Sequence, residues 1–163
     1  MFTSRTLSAP VQAAALSLLF WPTASAAPAQ VTPPEKVVAV PTPPRLLTSD
    51  GGLVLNFIKP DKTADFEAVV AKLREALQKS PKPERRQQAA SWKVFKAGEL
   101  AASGNVLYVF VMDPAIKGAD YTVSTILAEA FPSEAIALYK QYSESFGPGY
   151  NFVNLGLIQD LGK

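Results

Sequence analysis

The sequence predicts an α+β domain: a four-stranded antiparallel sheet with helices on one face. Three observations carry that expectation. Four short stretches, Leu53–Ile58, Ser91–Ala97, Val106–Met112 and Phe152–Ile158, are strand-like in residue type and apolar patterning. The segments after the first and third stretches place apolar residues at helical spacing. The 163-residue chain has no cysteine and no histidine. Its core must therefore hold without disulfides, and Cys/His zinc sites, thiolate nucleophiles and imidazole bases are all excluded.

The elements follow in chain order. Asp50-Gly51-Gly52 is a turn signal that opens the domain. Leu53–Ile58 is the first strand, ended by Pro60-Asp61. Thr63 is placed to cap a helix with Asp65 and Glu67 in its first turn, where acids suit the positive end of the helix dipole. Phe66, Val69, Val70, Leu73 and Leu77 form its apolar stripe, and Pro81 and Pro83 end it. The basic group Lys79, Lys82, Arg85 and Arg86 reads as a solvated loop. Ser91–Ala97 is the second strand, Ala102-Ser103-Gly104-Asn105 a turn, and Val106–Met112 a third strand rich in β-branched and aromatic residues. Asp113 and Asp120 read as turn and cap residues. Residues 122–130 form a short helix, and a second helix starts at Pro132, which cannot sit inside a continuous one. Gly147-Pro148-Gly149 stops that helix, and Phe152–Ile158 is the last strand. The order β-α-β-β-α-β is the split βαβ, ferredoxin-like arrangement, with strand order 4-1-3-2.

Ahead of the domain lie two segments of other character. Residues 1–26 read as a secretory signal: Arg5, an apolar run to Trp21, a break at Pro22, and Ala24-Ser25-Ala26 as the cleavage site. The run is too short to cross a membrane comfortably, so no span is expected after cleavage. An exported bacterial protein, periplasmic or extracellular, is the expectation. Residues 27–48 hold six prolines and read as a proline-rich linker, leaving 49–163 as a single domain.

Composition narrows the function. Lys and Arg total 16 against 14 Asp and Glu, for a net charge of +2. That is too small for a nucleic-acid footprint. The third strand, Leu107-Tyr108-Val109-Phe110-Val111, has the aromatic content of an RNA-binding strand, but the basic-Gly-aromatic opening is missing.

The sheet itself is informative. A bare sheet face in water should alternate apolar and polar residues, yet the third strand is apolar on both sides. Assigning the uniformly aliphatic sets (Leu53, Leu55, Phe57; Leu107, Val109, Val111; Val153, Leu155, Leu157) to the helices leaves Val54, Ile58, Tyr108, Phe110, Met112, Phe152 and Ile158 on the open face. A patch of that breadth asks for cover, and a twofold homodimer through the open face is the economical choice.

In element order and two-sided apolar sheet, residues 50–160 resemble the dimeric α/β-barrel superfamily of the antibiotic-biosynthesis-monooxygenase type. That resemblance implies a sheet-to-sheet dimer and a pocket for a small apolar molecule, with some members oxidising without metal or flavin. Ligand-binding candidates are Asn56 and Asn154, to orient a carbonyl or hydroxyl; Trp92, to stack; and Tyr108 and Phe110 on the same face. The simpler reading makes the amides a cross-strand pair and Trp92 a core residue. No motif asks for a cofactor or a metal. The expectation is a dimeric, non-catalytic binding or assembly module. The alternatives are a cofactor-independent oxygenase or isomerase and a structural envelope protein.

Overall fold

The structure, a computed structural model, describes residues 44–101 and 103–162. The segment expected to be a secretory signal, and most of the proline-rich segment, lie outside the described residues. Four strands, β1 (Gly51–Ile58), β2 (Trp92–Leu100), β3 (Val106–Met112) and β4 (Phe146–Leu155), form one antiparallel sheet in the order β2-β3-β1-β4. This is the expected sheet, read from its other edge. Four helices, α1 (Thr63–Gln78), α2 (Pro83–Ser91), α3 (Val123–Ala130) and α4 (Ala135–Ser145), pack together over one face.

Phe66 of α1 is the centre of the core. Its ring lies 4.8 Å from Tyr108 and 6.0 Å from both Phe110 and Tyr142, linking α1 to the sheet and to α4. Val69, Leu73 and Leu77 continue the same buried stripe along α1. The helical region after β3 is broken where the sequence places Pro132. The Phe131 N–H still closes a turn onto the Leu127 carbonyl, but proline has no N–H to extend the ladder. The second helix resumes at Ala135, three residues beyond the expected start at Pro132.

Other boundaries move for identifiable reasons. Thr63 is the first helical residue rather than the cap, because Pro60–Lys62 forms a 3-10 turn that leads into α1. The basic stretch after Pro81 is not a solvated loop. Pro83 starts α2, whose Arg85 and Gln88 are buried. Gly147-Pro148-Gly149 does not separate α4 from the last strand but lies within β4. There Phe57 pairs with Gly149 and Ile58 with Phe146, so the chain bulges between the two pairs. A proline is tolerated because β4 is an edge strand. At Gly147 a Cβ would collide with the Asn105 side chain.

The end of the proline-rich segment packs onto the domain. Leu46 bridges to Asp120, the Leu47 N–H donates to the Ala119 carbonyl, and Leu47 is fully buried over Gly52. A Cβ at Gly52 would collide with the Leu47 side chain, so glycine is what lets residue 47 reach the sheet.

Candidate functional site

The strand register shows which residues share a face. Val54 pairs with Phe110 and Phe152, and Asn56 with Tyr108 and Tyr150. Val54, Asn56, Tyr108, Phe110 and Met112 are all buried, and Phe66, Tyr142 and Phe146 pack among them. These residues face the helices, which overturns the expectation that they form the open face. The physical reason is the seat for Phe66: its ring packs against Tyr108 and Phe110 of β3 and Tyr142 of α4, which fixes that side of the sheet as the covered one.

The open face therefore carries the other set. Lys93, Val111, Leu53 and Val153 make one row across the four strands; Phe95, Val109, Leu55 and Asn151 make the next. Leu107 and Phe57 follow at one end, and Leu155 stands opposite Gly51 at the other. Phe95 is 53% exposed and Val153 and Leu155 about 40%, while the central strands' residues are partly shielded by one another. Lys93, on an edge strand, is the sole charge in these rows.

The predicted ligand residues are not brought together on that face. Asn56 is fully buried, and its Nδ2 donates to the carbonyls of Val54 and Tyr108, each at 3.3 Å. Its Oδ1 has no partner. Asn154 pairs with Gly52, four residues along β1 from Asn56, which is about 13 Å at strand spacing. It is exposed, and its Oδ1 accepts from the Thr48 N–H at 2.9 Å, so it anchors the entering segment. The expected cross-strand amide pair does not form. Phe110 is core. Trp92 stands at the β2 edge with its ring edge-on to Phe110 at 5.7 Å and to Tyr121 at 5.3 Å, and its buried Nε1 is unpartnered.

Tyr108 reaches out of the core at one end. Its hydroxyl donates to Glu67 at 2.5 Å, and Lys96 Nζ holds the same carboxylate oxygen at 3.0 Å. Burial, reinforced by Glu67, pushes the Tyr108 phenol up. The Tyr108 hydrogen bond, together with Lys96, holds Glu67 below the usual carboxylate range. Burial likewise raises Tyr121 and Tyr142.

A second polar cluster was hidden in the sequence by its basic surroundings. Arg85 forks onto Glu129 through Nε at 3.3 Å and Nη2 at 3.0 Å, and Nη1 donates to Gln88 and to the Asp120 carbonyl. Gln88 donates to the same carbonyl at 3.1 Å. The Asp120 carboxylate accepts from the N–H and hydroxyl of Thr122 and from the Arg45 N–H. Burial raises Glu129, but Arg85 and Lys82 outweigh it and leave the carboxyl below its ordinary range. The cluster is saturated by its own partners, so it fastens α2 and α3 to the loop between β3 and α3. The signal that could have revealed α2 is Pro83 at a first-turn position, followed by Glu84 and by no helix breaker up to Ser91.

Among the described residues no group of three or more carboxylates is placed to hold a metal ion. No described helix is long and apolar enough to cross a membrane. No protein-family model, no curated protein and no solved structure matches this chain.

Proposed function

We propose that the chain is a non-catalytic assembly module whose open sheet face closes against a second copy of itself. The observation that carries this reading is the composition of that face: two adjacent rows with Lys93 and Asn151 as their polar members, and apolar side chains from all four strands. Such a face is self-complementary. Two sheets pack about 10 Å apart with their side chains interdigitated, and a twofold axis puts each copy's edge lysine at the rim. Leu53, Leu55, Val109, Val111 and Val153, presented there by the two central strands and β4, are aliphatic, unlike the ring-rich set facing the helices.

The ionisable groups favour the non-catalytic reading over an oxygenase or isomerase. General acid–base work is best done near neutrality. Here Glu67 is held down by the Tyr108 hydrogen bond and Lys96, Glu75 by Lys79 and Glu129 by Arg85 and Lys82, and the three shifted tyrosines are pushed up. Export after cleavage at Ala26 belongs to the same proposal, and amino-terminal sequencing of the protein recovered from its host tests it.

The assembly is tested by sedimentation velocity on wild type and Leu55→Asp. Wild type should sediment as a dimer, and the variant as a folded monomer with an unchanged far-ultraviolet spectrum. A folded Leu55→Asp dimer would refute the interface.

A further inference from the structure

Phe66 seats over β3, and over the β2 edge the helix cover is incomplete, leaving Val94 partly exposed on the helix side. The shortfall leaves a groove of about 250 Å³ between α1, α2 and β2. Leu73 and Leu77 of α1 form one wall, and Trp92 and Val94 of β2 form the floor. Val94 points toward the helices, opposite Phe110, yet remains 38% exposed because the space above it is empty. This groove is on the other side of the sheet from the proposed dimer face, so the two can be tested separately.

Its lip is polar on one side. Arg74 and Gln78 are four residues apart on α1, so they are neighbours on the helix surface, and both line the groove. Arg74 makes no ion pair among the described residues. The nearby acids are occupied elsewhere: Glu75 holds Lys79 at 2.8 Å and Glu67 holds Lys96 at 3.0 Å. No acid lines the groove. An apolar slot with an unpaired guanidinium and an amide at its mouth is complementary to a molecule with an apolar body and an anionic end.

We propose that this groove binds a small amphipathic carboxylate, its apolar body over Trp92 and its carboxylate against Arg74 and Gln78. The sequence has two tryptophans and Trp21 lies in the proposed signal, so the protein cleaved after Ala26 carries Trp92 as its sole indole reporter. Titrating octanoate into that protein should change Trp92 fluorescence saturably. Octanol, which keeps the chain and lacks the charge, should bind about tenfold more weakly, as should octanoate to Arg74→Gln. Val94→Phe, which fills the floor from an exposed position, should abolish both responses without unfolding the domain. The proposal is overturned by the absence of a saturable response at millimolar octanoate. It is equally overturned if Arg74→Gln and Val94→Phe bind octanoate as the parent does, or if octanol binds as tightly as octanoate.

Discussion

Phe110 and Val109 are consecutive residues of β3 that meet opposite surroundings. Phe110 lies 1% exposed beneath Phe66 and Trp92, while Val109 stands between Leu55 and Phe95 on the uncovered face. Both faces of the sheet are apolar, so hydropathy cannot tell them apart. What separates them is the kind of cover. The helix side is filled by interlocking rings and closed within the chain. The open side is tiled by aliphatic groups, Phe57 and Phe95, with Lys93 and Asn151 as polar members of its rows and no described element over it. One face accounts for why the chain folds; the other is the one we propose a second copy covers.

The sharpest way to break this comparison is to substitute the two neighbours. Phe110→Ala should destabilise the domain by about 3–5 kcal/mol in urea unfolding, the usual cost of emptying a core aromatic site. Val109→Lys should leave the fold intact and abolish self-association. If Val109→Lys unfolds the chain and Phe110→Ala does not, the two faces are exchanged.

A smaller effect is expected at the polar fastening between α2 and α3. Arg85→Met keeps much of the stem's packing but leaves Glu129 without its fork. The loss should be about 2 kcal/mol, below the range for a fully buried pair because the Glu129 side chain is 33% exposed. An unchanged unfolding midpoint would show that the cluster contributes nothing net.

The smallest effect is on pH dependence. Glu129 and Glu67 have folded-state values below their ordinary 4.5, so the folded state favours their charged forms. Their contribution is complete above 4.5 and is lost as the pH falls through the lowered folded values. Stability should therefore be flat near neutrality and decline only in acid. In Arg85→Met the Glu129 share of that acid decline should shrink.

Much of the fold was legible because local rules and tertiary packing agree. Val106–Met112 has the bounds expected of it, and Pro132 breaks its helical region as its missing N–H requires. The errors have a common cause. Alternation along β1 sets Asn56 with Val54 and Ile58 but does not say which face is covered; the residue is buried and directs its amide at two backbone carbonyls. The charges of Lys82, Arg85 and Arg86 argued for a loop, yet Arg85 is buried by a carboxylate 44 residues away in sequence. In both cases the partner that makes a polar residue buriable is remote, and a pattern read along one segment carries no trace of it. Trp92 floors a groove whose existence depends on how far α1 extends over β2. The sequence pattern does not encode that reach.

The central claim is that the open face of the sheet is an interface between copies. Its most direct test is the mass of the unmodified chain in solution, measured by light scattering during gel filtration at micromolar concentration. The account predicts twice the chain mass, converging on a single chain's mass when Val109 is replaced by lysine. A wild-type mass equal to that of one chain would contradict it.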